Sequence, residues 1–175
     1  MSGFGYRIFT WRYSKVKYVY FAVVLAAALS IDRLTKFLAL AYLPGKVDYA
    51  GGFHIFAVYR NYGMTFGILK DNPQACLILA LLVIGLLVLA LVRYKEALLT
   101  PGVAFLLAGA LGNLSDRLIY GYVVDWIHIV VYINLADIWL CLGALHLFYR
   151  IDSVRRRGKG AQAHFERYRH FTKRN

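Results

Sequence analysis

Eighteen consecutive apolar residues, Ala75–Val92, form the longest uninterrupted hydrophobic run in the sequence. A run of this length crosses a lipid bilayer as a helix. The rest of the chain shares this character, because 60% of its 175 residues are hydrophobic and only 17% are charged. A soluble domain is usually about 45–50% apolar, and a disordered chain has far fewer apolar residues. The sequence therefore predicts a membrane protein.

Three further stretches are predicted to cross the membrane as helices, namely Tyr18–Phe37, Ala97–Leu114 and Asn134–Tyr149. The first is interpreted as a retained span and not as a cleaved secretory signal, because the apolar stretch resumes beyond Ser30. Another apolar stretch, Leu118–Ile133, contains Asp125 and His128. Whether it spans the membrane or lies on its surface determines on which side the C-terminus ends.

The basic residues favour four spans with both termini in the cytoplasm. Of the 21 Lys and Arg residues, four lie in residues 1–18, two in the turn at 93–96 and nine at or beyond position 150. Cytoplasmic flanks of membrane helices carry the excess of Lys and Arg, and four spans place all three segments on one side. The expected organisation is a basic cytoplasmic N-terminus (1–17), a four-helix membrane domain (18–150) with an extracytoplasmic loop around 44–72 and an outer-face excursion at 118–133, and a basic cytoplasmic tail (151–175).

The basic tail also contains aromatic residues, a mixture that nucleic-acid-binding segments share. The favoured interpretation is a segment attracted to anionic lipid on the cytoplasmic face, next to the last span. We therefore expect membrane lipid as a partner and no nucleic acid.

Four of the nine acidic residues lie in or next to apolar segments: Asp32, Asp116, Asp125 and Asp137. An ionised carboxylate is costly in hydrocarbon, so each is a hypothesis of function by default. With four spans, all of them lie at the outer membrane boundary. The simpler interpretations are a structural ion pair between Asp32 and Lys36, which share a helix face at i,i+4, anchoring of a helix end by Asp116 and Arg117, and interfacial water around the other two aspartates.

Two aspartates at one site are suited to acid–base chemistry, because two close carboxyl groups do not both ionise and one keeps a proton. The ionised group takes a proton from water that attacks a peptide carbonyl. The protonated group donates to that carbonyl and later protonates the leaving amine. No metal or other cofactor is expected, since no His pair has metal-ligand spacing and both cysteines, Cys76 and Cys141, lie in apolar runs.

Four short blocks follow one another between about Ile31 and Leu147. They are IDRLTK at 31–36, YRNYGMTFG at 59–67, GNLSDR at 112–117 continuing to GYVVD at 121–125, and NLAD at 134–137. In this order they resemble lipoprotein signal peptidase (signal peptidase II), a family of bacterial inner-membrane aspartyl proteases. The resemblance implies an all-α membrane protein with four transmembrane helices and a small extracytoplasmic β-rich cradle, for which Asp48–Ile68 is the candidate.

The resemblance also implies the site residues and the reaction. It places catalytic aspartates at Asp125 and Asp137, substrate-contacting and site-supporting residues at Asn61, Asn113, Arg117 and Asn134, and structural or supporting residues at Asp32, Lys36, Gly63, Phe66, Gly112 and Asp116. The implied substrate is a prolipoprotein whose lipobox Cys bears a diacylglyceryl group, cut on the N-terminal side of that Cys. Its lipid chains are expected to lie against apolar helix faces, and no obligate protein partner is expected.

The chain departs from the family pattern at three points. The spacing from Asp125 to Asp137 is only 12 residues, Ile138 follows the second aspartate, and Met64-Thr65 precedes Phe66. These differences bear on loop conformation and substrate preference, and none removes a catalytic residue. Two alternatives stay open: a catalytically silent relative that only binds lipoprotein signal peptides, and a proton- or ion-coupled carrier.

Overall fold

Helices account for most of the chain. The structure is a computed structural model that describes residues 3–45, 55–63 and 72–172. Its helices are α1 (Gly3–Tyr42), α2 (Pro73–Arg93), α3 (Lys95–Leu98), α4 (Pro101–Tyr120) and α5 (Leu135–Thr172), and its strands are β1 (Phe56–Asn61), β2 (Val123–His128) and β3 (Tyr132–Ile133). The predicted, mainly helical fold class is confirmed. The number of helices that cross a membrane stays a prediction.

Within the part of the chain that the structure describes, two helices, α2 and α4, are long and apolar enough to cross a membrane. Cys76 is the only fully buried residue of α2, and many of its large apolar side chains, such as Leu82, Leu86 and Leu89, are exposed. α1 and α5 extend beyond the predicted spans, since α1 includes most of the segment 1–17 and α5 continues into the segment 151–175. The backbone of the predicted basic termini is therefore helical where the structure describes it.

The start of α4 differs from the predicted third span, Ala97–Leu114. Residues 95–98 form the separate helix α3, and α4 begins at Pro101. Proline is favourable at the first helical position, because its missing N–H has no helical partner there. Thr100 caps the helix, since its Oγ1 accepts a hydrogen bond from the Val103 N–H at 3.4 Å. Proline and cap together move the start of the helix toward the C-terminus.

The stretch Leu118–Ile133 is not a fifth helix. Its first three residues complete α4, which ends at Tyr120. Gly121 follows with a φ of 77°, a left-handed conformation that glycine adopts without strain, and its N–H donates to the Arg117 carbonyl at 3.1 Å. The chain then forms β2 and β3, so it leaves the helix bundle as a hairpin.

The three strands form one antiparallel sheet in the order β1-β2-β3. The pairing places Tyr59 on β1 opposite Asp125 on β2. β1 lies within Asp48–Ile68, where the sequence predicts the cradle, and among the described residues its partner strand is β2 of the hairpin. Residues 48–54 and 64–68 of the predicted cradle lie outside the described part of the chain.

α4 packs against both α1 and α5, and ten of its residues are buried. α1 and α5 both come close to α4 at Gly112. A Cβ at this position would lie 2.5 Å from Asp32 Oδ2 and 3.3 Å from Ala136 Cβ. The absent side chain lets α1 and α5 approach α4 at one level. This is the physical reason for a structural role of Gly112.

Candidate active site

Asp125 lies within β2, the central strand of the sheet. Its side chain is buried, with a relative exposure of 1%. Oδ2 accepts a hydrogen bond from Asn61 Nδ2 at 2.9 Å, and Oδ1 accepts one from Asn134 Nδ2 at 2.5 Å. Asn61 ends β1 and Asn134 directly follows β3, so residues at the ends of both neighbouring strands hold the carboxyl group.

Asp137 lies in the first turn of α5 and forms a capping box with Asn134. Asn134 Oδ1 accepts from the Asp137 N–H at 3.1 Å, and Asp137 Oδ2 accepts from the Asn134 N–H at 3.2 Å. The other carboxylate oxygen, Oδ1, accepts from Asn113 Nδ2 of α4 at 2.9 Å. Both carboxylate oxygens are therefore fixed by donors on two elements.

Asn134 joins the two aspartates, since its amide nitrogen binds Asp125 while its oxygen binds the backbone of Asp137. Burial first, and the nearby charge of Asp137 second, raise the pKa of Asp125 from 3.8 to about 7. The hydrogen bonds from Asn61 and Asn134 act in the opposite direction. A carboxyl group with this pKa holds a proton for much of the time near neutral pH. The pair, called the dyad below, can therefore provide an acid and a base together.

Four buried or part-buried charged side chains form a second group, called the charge cluster: Asp32, Arg33, Lys36 and Asp116. Lys36 Nζ lies 3.1 Å from Asp32 Oδ2 and 2.8 Å from Asp116 Oδ2. Arg33 Nη2 lies 3.1 Å from Asp32 Oδ2 and 2.7 Å from Asp116 Oδ1. The two cations and two anions cancel in formal charge, which limits the cost of burying them. The cluster contains the Asp32–Lys36 ion pair that the sequence spacing suggested.

The charge cluster also holds the backbone next to the dyad. Asp32 Oδ1 accepts from the Ala136 N–H at 2.9 Å, and Ala136 directly precedes the dyad residue of α5. Asp116 Oδ2 accepts from the Val124 N–H at 3.1 Å, and Val124 directly precedes the dyad residue of β2. Substitution of Asp32 is therefore expected to move the Asp137 carboxyl group, and substitution of Asp116 is expected to move the Asp125 carboxyl group.

One side-chain path connects the charge cluster to the dyad. Lys36 Nζ donates to Asn113 Oδ1 at 3.0 Å, and Asn113 Nδ2 donates to Asp137 Oδ1 at 2.9 Å. Lys36 is buried, with a relative exposure of 2%. The Asn113 amide thus lies between a buried ammonium group and a dyad carboxyl group.

Arg117 and Gly63 connect the end of α4 to the end of β1. Arg117 Nη2 donates to the Gly63 carbonyl at 3.0 Å, and Nη1 donates to the Asn113 carbonyl at 3.2 Å. The Gly63 N–H donates to Asn61 Oδ1 at 3.0 Å. Because the oxygen of this amide is occupied, its nitrogen is directed to Asp125. Arg117 and Gly63 therefore support the dyad from the side of β1.

Arg33 is a site residue that the sequence analysis does not single out. Its guanidinium group balances the second carboxylate of the charge cluster. The signal for it is charge: burial of Asp32 and Asp116 requires two cations, and Lys36 supplies only one. Phe66, predicted as a supporting residue, lies outside the described residues.

The described ranges contain no group of three His, Cys, Asp or Glu side chains that is placed to hold a metal ion. The expectation of a site without a metal or another cofactor stays a prediction.

The chain matches known proteins over most of its length. The profile of the family described as Signal peptidase (SPase) II matches residues 24–152. The chain belongs to the signal peptidase II family. Every predicted site residue falls inside the matched range.

Curated relatives in this family include three proteins named lipoprotein signal peptidase. The protein of Moorella thermoacetica is 33% identical over 138 residues, which cover 75% of this chain and 91% of that protein. The protein of Caldanaerobacter subterraneus subsp. tengcongensis is 32% identical over 133 residues, with coverage of 73% and 92%. The protein of Listeria monocytogenes serotype 4a is 27% identical over 152 residues, with coverage of 81% and 99%.

Two solved bacterial membrane enzymes share the fold of this signal peptidase II homologue. One, determined by the in meso method at 2.3 Å resolution, has a TM-score of 0.65 and 23% identity and covers 76% of this chain and 87% of its own. The other, determined at 1.9 Å resolution, has a TM-score of 0.61 and 23% identity, with coverage of 75% and 91%. The fold is therefore one that bacterial membrane enzymes use.

Proposed function

We propose that this chain is an aspartic endopeptidase that removes the signal peptide from diacylglyceryl-modified prolipoproteins. The cut lies on the N-terminal side of the lipid-modified Cys. Family membership and the relatives named lipoprotein signal peptidase support this substrate class. The observation that carries the aspartic mechanism is the pair of carboxyl groups, Asp125 and Asp137, bound to the same Asn134 side chain and backbone.

The reaction needs one ionised and one protonated carboxyl group. The ionised aspartate takes a proton from water, and the water oxygen bonds to the scissile carbonyl carbon. The protonated aspartate donates a hydrogen bond to the carbonyl oxygen and then passes its proton to the leaving nitrogen as the C–N bond breaks. The raised pKa of Asp125 supports this division of roles, because it keeps a proton available near neutral pH.

We further propose that α1, α2, α4 and α5 cross the bacterial inner membrane, with both termini in the cytoplasm and the dyad at the outer leaflet. Large apolar side chains are exposed on α1, α2 and α5, which lie around α4. They include Val19, Val23, Leu86, Leu89, Leu145 and Phe148. Exposed apolar side chains at this density suit contact with lipid chains. The excess of basic residues near both termini supports their cytoplasmic location.

The proposed substrate contacts follow from the polar residues around the dyad. Asn61, Asn113 and Asn134 each bind a dyad residue through a side-chain amide, and Arg117 binds backbone carbonyls beside them. Part of each donor group is thus used to hold the site, and we propose that the remaining hydrogen-bonding capacity serves the substrate. The lipid chains of the substrate lie against the apolar helix faces. No nucleic acid, cofactor or obligate protein partner is part of the proposal.

A cleavage assay with purified protein in detergent tests the proposal. The substrates are a diacylglyceryl-modified prolipoprotein and its unlipidated form, and gel mobility reports the release of the signal peptide. We expect the wild type to cut only the lipidated form. Asp125→Asn and Asp137→Asn each lose about 10²–10⁴-fold in rate, whereas Asp152→Asn retains activity, because Asp152 pairs with the exposed Arg156 on the surface of α5.

Two outcomes would overturn the proposal. Cleavage by either dyad variant at the wild-type rate contradicts the aspartic mechanism. Binding of the lipidated substrate by the wild type without cleavage identifies a silent relative. A carrier gains no support from the structure, since Asp32 and Asp116 are each paired with both cations of the charge cluster.

A further inference from the structure

The two dyad carboxyl groups differ in their surroundings. Asp137 lies in the first turn of α5, where the helix dipole favours a negative charge, and it accepts a backbone N–H from the capping box. Its other oxygen accepts from Asn113, whose amide oxygen is bound by the buried Lys36 ammonium group. A cation on one side of an amide polarises it and strengthens its donation on the other side. Three features thus favour charge on Asp137.

Asp125 has none of these features. It lies in a strand, where the net backbone dipole is small. Its two donors, Asn61 and Asn134, are neutral side-chain amides. The Asn61 oxygen in turn accepts from the neutral backbone N–H of Gly63, and not from a cation.

On the basis of the proposed proteolytic function, we propose that Asp137 carries the negative charge of the resting dyad, that Asp125 holds its proton, and that Lys36 maintains this arrangement through Asn113. Asp137 is then the base that takes the proton from water, and Asp125 is the acid that serves the carbonyl oxygen and the leaving nitrogen. Lys36 and Asn113 are positioning residues, since they act through Asp137 and not on the substrate.

Among the described residues, the charged groups around Asp137 belong to three elements. α1 presents Lys36 and, beyond it, Asp32 and Arg33, while α4 presents Asp116 and Arg117, and β2 presents Asp125. Because the charge cluster is neutral as a whole, its attraction on distant charges is small. Asp32 and Asp116 position the backbone beside the dyad, whereas the Lys36 charge reaches Asp137 through the directed hydrogen bonds of Asn113. We therefore expect Lys36 to have a local and moderate effect, about one pH unit on the activity profile.

Two alanine variants distinguish the two possible assignments of charge. The specificity constant for cleavage, kcat/KM, is measured as a function of pH. The acidic limb of this profile reports formation of the single negative charge on the dyad, and the alkaline limb reports loss of the shared proton. Asn113→Ala weakens the charge on Asp137 in both the singly and doubly ionised dyad, so only the acidic limb moves, to higher pH by about one unit. Asn61→Ala weakens only the charge that forms last, on Asp125, so only the alkaline limb moves to higher pH. The crossed result, with the two limbs exchanged, overturns the assignment.

Lys36 is tested with variants of opposite expected effect. Lys36→Met moves the acidic limb to higher pH, and combination with Asn113→Ala moves it no further, because both act on one path. Asp32→Asn leaves the charge cluster with one net positive charge and is expected to move the acidic limb to lower pH. This variant tests the role of Lys36 if Lys36→Met does not fold. A residue with only a structural role lowers activity at every pH and moves neither limb. Unmoved limbs in all of these variants therefore overturn the role of Lys36.

An infrared measurement separates failure of this assignment from failure of the proposed function, because it needs no activity. The carbonyl stretch of a protonated carboxyl group shifts when it loses a hydrogen-bond donor. Near pH 6 we expect Asn61→Ala to raise the frequency of the protonated band and Asn113→Ala to leave it in place. A frequency shift in Asn113→Ala alone overturns the assignment, whether or not the protein cleaves a prolipoprotein.

Discussion

Replacement of Asn134 by alanine removes the side chain that holds both aspartates, and the contacts it makes set the size of the effect. One lost contact is the cap on the Asp137 N–H, which contributes about 1 kcal/mol. The other is the hydrogen bond to the buried Asp125 carboxyl group. Because the carboxyl oxygen loses this donor in a site away from water, its loss costs about 1–3 kcal/mol. We expect Asn134→Ala to lower the free energy of unfolding by about 2–4 kcal/mol.

Asn134→Ser separates the two contributions. The serine hydroxyl can accept from the Asp137 N–H as a helix cap, but the shorter side chain does not reach Asp125. The serine variant therefore loses only the second contribution, and the two variants differ by about 1 kcal/mol. For a chain of this size, 1 kcal/mol corresponds to about 2–4 °C in Tm. We expect the alanine variant to unfold about 9 °C below the wild type and about 3 °C below the serine variant.

Thermal unfolding in detergent micelles, followed by tryptophan fluorescence, measures these differences. Asn72→Ala is the control, since Asn72 caps α2 through the Ala75 N–H and contacts no dyad residue. It loses about 1 kcal/mol and retains cleavage activity, whereas both Asn134 variants lose activity. The arrangement is contradicted if the serine and alanine variants unfold at the same temperature, or if both cleave substrate at the wild-type rate.

The remaining predictions concern proton binding and helix packing. The pKa of Asp125 is about 7 in the folded chain, against an ordinary value of 3.8, so between these values the folded state keeps a proton that the unfolded state has released. The free energy of unfolding therefore falls as pH rises through this window, by up to about 1.4 kcal/mol per pH unit. Asp125→Asn removes this dependence. Parallel curves of Tm against pH for the wild type and Asp125→Asn would refute the raised pKa of Asp125. Gly112→Ala places a Cβ 2.5 Å from Asp32 Oδ2 and lowers stability by about 1–3 kcal/mol. Gly85→Ala on α2 meets no atom within 4 Å and leaves Tm unchanged or raises it, and an equal loss in both variants contradicts a packing role specific to Gly112.

The parts of the site that lie within one turn of helix follow from sequence spacing. Asp32 and Lys36 share a face at i,i+4, and the structure pairs them at 3.1 Å. Asn134 and Asp137 are three residues apart at the start of an apolar helix, which is also the pattern of a capping box. Only the capping pattern, and not membership of one block, predicts the reciprocal hydrogen bonds between Asn134 and Asp137.

Contacts between distant elements do not follow from local patterns. Asn61 and Asp125 are 64 residues apart, and Arg33 and Asp116 are 83 apart. Periodicity indicates which side of a strand or helix is buried, but it does not identify the partner element. For this reason the sequence predicts strands in the loop that contains β1 but not their pairing with the hairpin. Arg33 is missed for the same reason, because its second partner lies on another helix.

The short spacer between the dyad residues is explained by the register of the hairpin. Ile127 pairs with Ile133 and His128 pairs with Tyr132, and partner numbers in an antiparallel ladder have a constant sum. Continued by two residues, this register places Asp125 beside residue 135, where α5 begins. Asp137 therefore lies within one helical turn of the point at which the chain returns to Asp125. Residues at the tip of the hairpin do not affect the separation of the carboxyl groups, so a spacing of 12 residues shortens the hairpin while the strand-to-helix junction keeps the dyad together.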